Sequence, residues 1–335
     1  MATYKALRGV TIQTVDGDPG TIQFGEMWYN SSAKTLKVGQ TTAGSWALGG
    51  NLPFHYGSNS AFGLQTAAVV CLGDSPGQPT AGTSSAEYDG SSWTAGNAGN
   101  TARASACACG TQTAGLGIGG YGPGIPTRVT NIVEEYDGTN WSEEADLNTG
   151  RGYLGSAHSG TTTAALAFGG LINPELNPSP FGAVGAKNES EEYNGTAWTE
   201  GDNLNTARRD FAGAGTQTAA LAIAGDNFPG IIDNVEHYDG SSWTESTDLN
   251  TAKWRNMSGG IQTLAFTAGA TDQQAICETW DGTSWTEVAD LNTGRHEGGG
   301  CGTYAAGLVV GGVAITTATE ELTGDYAAAA TVTSS

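Results

Sequence analysis

Six tryptophans set the period of this chain. Trp46, Trp93, Trp141, Trp198, Trp243 and Trp285 stand 47, 48, 57, 45 and 42 residues apart. A period in this range means stacked supersecondary units rather than one irregular core. Six residues after Trp comes Leu52, Leu147, Leu204, Leu249 or Leu291, with Gly99 as the exception. Ten residues after it comes Arg103, Arg151, Arg208, Lys253 or Arg295, and the first unit has Tyr56 there. Each unit then carries a small-residue run, a short turn and an apolar run ending in glycine, as in GSAHSGTTTAALAFGG at 155–170. After a variable stretch, a third run ends in Tyr88-Asp89-Gly90, Tyr136-Asp137-Gly138, Tyr193-Asn194-Gly195, Tyr238-Asp239-Gly240 or Trp280-Asp281-Gly282; Leu322-Thr323-Gly324 is a degraded sixth copy. Asp-Gly or Asn-Gly before a further strand is a hairpin signal, because glycine tolerates φ > 0. The Trp run is the fourth strand.

Four short antiparallel strands per unit make the blade of a β-propeller. The series opens on Trp46 and closes on a third run at Leu322, so residues 44–50 are expected to pair with the strand around Thr319–Thr323. The fold expected is all-β: a six-bladed propeller over 44–325, closed by the N-terminal Trp strand. A small β-rich segment, 1–43, precedes it, and a tail, 326–335, follows.

Composition narrows the function. Lys+Arg number 13 against 34 Asp+Glu, a net charge of −21. A nucleic-acid binder needs a basic face to displace counterions from phosphate, so no nucleic-acid partner is expected. No run of 18 apolar residues exists, so no membrane insertion is expected. No secretory signal is visible at the N-terminus, and the odd count of five cysteines reads as free, small hydrophobes. Glycine, at 52 residues, has no three-residue period, which excludes collagen.

The double glycine, E-x-Y-D-G, a following Trp and a basic residue opening the next unit resemble the kelch repeat over roughly residues 46–325. The glutamate two before the aromatic stands at Glu134, Glu191, Glu236, Glu278 and Glu320, with Ala86 in the first copy. Kelch propellers serve many roles, so the resemblance implies a fold more than a function. Residues 21–38, TIQFGEMWYNSSAKTLKV, read as two strands with a turn at Asn30–Ser32. GEMWYNSS, then TLKV and a Gly-Ser-Trp, resembles short segments of bacteriophage tail-fibre and other virion appendage proteins. That resemblance implies a virion protein made in a bacterial cytoplasm. Residues 1–43 would meet other virion proteins, and the propeller would meet a host-surface glycan or protein, or a neighbouring subunit. An oligomer is expected.

The basic register has two readings. Arg103, Arg151, Arg208, Lys253 and Arg295 could ring the axis and grip an anion, or each could pair with a glutamate of the E-x-Y register. A repeated position beside a repeated opposite charge favours pairing. The register tryptophans are expected in the core, since a propeller fills the space between blades with large side chains.

Arg209, Trp254 and Arg255 lie off the register and are expected at the surface. Loop lengths vary between the second and third strands (74–86, 121–131, 171–190, 226–234, 270–275, 313–317), while the other turns are short and uniform. The 171–190 loop offers Leu171, Ile172 and Phe181 with three prolines. Loop variation on a rigid scaffold is where specificity sits. Leu171, Ile172, Phe181, Arg209, Trp254 and Arg255 are therefore the candidate partner-binding residues.

No catalytic residues, cofactor or metal are expected. The four histidines fall at unrelated repeat positions, and neither H-E-x-x-H nor G-x-S-x-G occurs. A carbohydrate-active propeller enzyme and a soluble peptide-binding kelch scaffold are the alternatives to a non-enzymatic appendage.

Overall fold

The computed structural model describes residues 12–18, 27–42, 44–74, 81–122, 129–172, 186–228, 230–313, 317–324 and 326–331. These residues form seven four-stranded sheets. The chain divides into two compact units: Ser45–Thr323, and a smaller one made from Met1–Gly44 with Gly324–Ser335. None of the described segments forms a helix long and apolar enough to cross a membrane.

The smaller unit contains β1 (Gln13–Val15), β2 (Met27–Asn30), β3 (Thr35–Thr42) and β28 (Tyr326–Thr331), ordered β1-β2-β3-β28. β2 and β3 form the hairpin read from the sequence, and β1 lies parallel to β2. Asp18 accepts hydrogen bonds from Trp28 Nε1 and Asn30 Nδ2, which hold its carboxyl below the usual range. Residues 326–331 are not a tail. They extend the N-terminal hairpin, from Tyr326 opposite Thr42 to Thr331 opposite Lys37. The run YAAAAT carries no alternating pattern, and its partner lies nearly 300 residues away in sequence, beyond any local signal.

The larger unit holds six sheets. The first comprises β5 (Ser60–Leu64), β6 (Ala67–Cys71), β7 (Ser85–Tyr88) and β8 (Trp93–Ala95). The second comprises β9 (Cys107–Thr111), β10 (Ala114–Ile118), β11 (Val133–Tyr136) and β12 (Trp141–Glu143). In the third are β13 (Gly155–Ser156), β14 (Ala165–Phe168), β15 (Ser190–Tyr193) and β16 (Trp198–Glu200). The fourth has β17 (Ala212–Thr216), β18 (Ala219–Asp226), β19 (Ile231–Tyr238) and β20 (Trp243–Glu245). The fifth has β21 (Met257–Ile261), β22 (Leu264–Ala270), β23 (Gln274–Trp280) and β24 (Trp285–Val288). The sixth joins β25 (Gly299–Thr303), β26 (Ala306–Val310) and β27 (Thr319–Thr323) to β4 (Ser45–Leu48). β4 runs antiparallel to β27, with Trp46 opposite Leu322, as the phase of the repeat requires.

Local chemistry explains each sheet. Second strands are buried on both faces and so read as unbroken apolar runs. Trp strands are short, with one buried and two exposed residues, which blunts an outer edge. The Asp-Gly turn is held by its own side chain: Asp89 Oδ1 accepts from the N–H groups of Ser91 and Ser92 at 2.9 and 2.7 Å, and Gly90 takes φ +88°. Across that turn the aromatic pair meets, Tyr88 and Trp93 with ring centres 4.8 Å apart. All six register tryptophans are buried. First strands lie against the first strands of neighbouring sheets, β5 touching both β9 and β25.

Candidate functional site

The junctions between sheets consume most of the repeated polar residues. Glu134 is fully buried and accepts from Arg103 Nη1 at 2.6 Å and from the backbone N–H groups of Asn100 and Thr101 at 2.9 and 3.0 Å. Arg151–Glu191 at 2.7 Å, Arg208–Glu236 at 2.6 Å, Lys253–Glu278 at 3.1 Å and Arg295–Glu320 repeat the pairing. The five register cations are therefore structural, and none is free to grip an anion. Two further ties escaped the sequence reading. The asparagine three before the cation donates to the next Trp carbonyl: Asn100 to Trp141, Asn148 to Trp198, Asn205 to Trp243, Asn250 to Trp285 and Asn292 to Trp46. The recurring Asn-Thr pair was the available signal. A glutamine in the turn after the first strand also donates to two carbonyls of the preceding sheet: Gln65, Gln112, Gln217 and Gln262. Its signal was the recurring Gln-Thr.

Two residues after the register position, and two before each first strand, stands a residue in the left-handed region: Ser58, Ser105, Tyr153, Asp210, Arg255 and Glu297, with φ between 49° and 59°. None is glycine, and an L side chain pays for that conformation unless the surroundings enforce it. The enforcing bonds run from one to the next. Ser105 donates its N–H to Ser58, Tyr153 to Ser105, Asp210 to Tyr153, Arg255 to Asp210 and Glu297 to Arg255, at 2.6–3.0 Å. Ser58 Oγ donates to Glu297 at 3.3 Å. Arg255 sits 2.5 Å from Glu297 but 3.6 Å from Asp210. Burial therefore pushes the Asp210 carboxyl up to about 7, with Arg255 only partly opposing it. The cavity at this mouth is about 90 Å³.

The opposite ends of the first strands surround a larger cavity of about 450 Å³. Its lining includes the turns at Leu64, Thr111, Ser159–Thr161, Ile261–Leu264 and Thr303–Ala305. His158 lines it as well and also borders a smaller axial cavity. His158 takes the place that a glycine with φ near +100° fills in the other five first strands: Gly63, Gly110, Gly215, Gly260 and Gly302. Desolvation holds its imidazole down to about 4, and Nδ1 has no hydrogen-bond partner.

Several candidate binding residues lie elsewhere than expected. Leu171 is buried, bridging to Gly152 and Ala186, and Ile172 is half-buried. Phe181 and the prolines of its loop fall outside the described residues, as do 75–80, 123–128, 229 and 314–316. Arg209 is buried in an ion pair with Asp226 at 2.8 Å, not solvated. Trp254 is half-buried beneath the Arg255 guanidinium, 4.5 Å from its ring centre. These arginines escaped the register because their partners, Asp226, Asp210 and Glu297, occur once rather than in every repeat. The uniform-looking turns, conversely, surround the 450 Å³ cavity. All five cysteines are buried and free, and burial pushes the Cys71, Cys107, Cys277 and Cys301 thiols up to about 12.

No family model matches the chain, and no curated protein does. Among solved structures, one titled "Structure of YjhT" superimposes with a TM-score of 0.66 at 14% identity, over 83% of this chain and 99% of that one. At that identity the likeness concerns the fold alone, and the architecture is propeller-like and all-β.

Proposed function

We propose that residues 45–323 form a six-bladed, kelch-like propeller and that the chain is a non-enzymatic virion appendage. Residues 1–43 dock it to other virion proteins, and the propeller mediates host-surface adhesion or subunit contacts. The six-blade count is supported by the shared grammar of the junctions. Asn292 treats the carbonyl of Trp46 as its counterparts treat the next Trp in sequence, which suits a sixth blade completed by β4. The appendage reading rests on the resemblance of the N-terminal segment. The observation that carries it further is that this segment and the C-terminal strand share one small sheet, so the chain enters and leaves the repeats through a single separate unit.

A binding role suits the charged mouth better than hydrolysis does. Asp210 and Glu297 both face Arg255 there, and a 90 Å³ cavity is well below the size of ordinary small-molecule sites. The test is mass spectrometry of purified particles of the phage that encodes the chain. Recovery as a stoichiometric structural component supports the reading. Presence in infected-cell lysate with absence from particles overturns it.

A further inference from the structure

We propose that the 450 Å³ cavity at the turn end of the first strands binds a neutral saccharide of one or two pyranose rings, held between an aliphatic wall and a hydroxyl wall. The proposal rests on the adhesion reading and names its ligand class. Its size falls within the ordinary span of small-molecule sites. Its two sides differ. The first, fifth and sixth sheets contribute Leu64, Ile261, Leu264 and Tyr304, with Thr303 as one hydroxyl among them, whereas the second and third contribute Thr111, Ser159 and Thr161 and no aliphatic side chain.

Leu64, Ile261 and Leu264 are 54, 46 and 41% exposed, among the large hydrophobics most open to solvent. Leaving such surface in water costs about 25 cal/mol per Å², which an occupant would recover. A hydrocarbon would dry out the threonine side without hydrogen-bonding it. A pyranose, with one C–H face and a rim of hydroxyls, satisfies both.

Charge selects further. In a chain of net −21, none of the described residues lining this cavity is Asp, Glu, Lys or Arg. His158, held down to about 4, is neutral through the physiological range. A carboxylated or amino sugar would lose hydration with no counter-charge to meet it.

Four of the six turns spend a glutamine on the preceding sheet, which fixes their shape before any ligand arrives. Three of those four, at Leu64, Thr111 and Ile261, line the cavity, so much of its wall is set in advance.

The experiment is titration calorimetry and saturation-transfer NMR of the full chain. The probes are methyl glucoside, methyl galactoside, methyl mannoside, lactose and maltose, with glucuronate and glucosamine as charged counterparts and benzyl alcohol as an apolar one. At least one neutral sugar is expected to bind in about the millimolar range or tighter. Its affinity should be flat from mildly acidic to neutral pH and between low and high salt. Ile261→Asp and Leu64→Asp should each weaken it by at least about tenfold (about 1.4 kcal/mol). Leu48→Asp, at an exposed site outside the cavity lining, should leave it unchanged. Because all three sites are exposed, the variants should fold, and circular dichroism checks that. The proposal is overturned by failure of every neutral sugar, by equal binding of the charged sugars, by binding of benzyl alcohol alone, or by indifference to both cavity variants. Particle mass spectrometry reports separately: a chain found in virions that binds no sugar loses only this inference. A sugar-binding chain absent from virions keeps it and loses the appendage.

Discussion

Five junctions between repeat sheets bury an ion pair, while the junction leading from Trp46 into the first sheet buries a tyrosine and an alanine. At the ionic junctions the glutamate receives a cation and, at most of them, two backbone N–H groups, and the Arg208 guanidinium also reaches the carbonyls of Ala224 and Asn234. At the apolar junction Tyr56 fills the cation's place, Ala86 the glutamate's, and the tyrosine hydroxyl donates to the Ser84 carbonyl. Both halves of the pair are exchanged together, as they must be, since either alone would strand a buried charge. The difference teaches what the ion pairs are for. Burying them gains little net stability over an apolar pair, but a paired charge accepts only its own register.

The sharpest way to break this comparison is to remove one half of an ionic junction. Arg208→Ala leaves Glu236 buried and is expected to cost about 3–5 kcal/mol in urea unfolding. Converting the junction to the apolar kind, with Arg208→Met and Glu236→Leu together, should return at least about 2 kcal/mol of that loss. A double variant as unstable as the single one would mean that the network, and not the stranded charge, sets the cost. At the apolar junction, Tyr56→Phe removes only the bond to Ser84 and should cost about 1 kcal/mol.

The smallest effect separates buried pairs from groups at the ends of the first strands that titrate. Asp210 is raised to about 7, so its contribution to stability is full below about 4 and is lost as pH rises through about 7. His158 is lowered to about 4, so its contribution is present above about 6.5 and is lost as pH falls through about 4. The two slopes oppose each other. Thermal midpoints followed from acidic to neutral pH should therefore climb more steeply with pH in Asp210→Asn than in the parent, and less steeply in His158→Gln.

What was legible in the sequence is what repeats. Trp46 to Trp285, the Asp-Gly turns and the Arg–Glu registers recur at fixed offsets, and each offset became the same local contact in successive sheets. The pairing of Trp46 with Leu322 followed from phase alone. Singular features were not legible. Arg209 found Asp226, and Arg255 found Glu297, through side chains that the other repeats do not carry at those positions, so both looked unattached. β28 looked like a tail because its partner is β3, at the far end of the chain. The cavity was overlooked for a related reason. Its turns are uniform in length, and only their side chains differ.

The ladder between β4 and β27 has a consequence for the order of synthesis. Its two halves are separated by more than 270 residues, so β4 leaves the ribosome with no partner. At about 5–20 residues per second, its wait lasts on the order of tens of seconds while the intervening sheets emerge. Throughout that wait Trp46 and the unpaired backbone of β4 are open to a strand from another nascent chain. Adding the missing strand in trans is the natural error of such a topology, and slow or crowded translation would favour it.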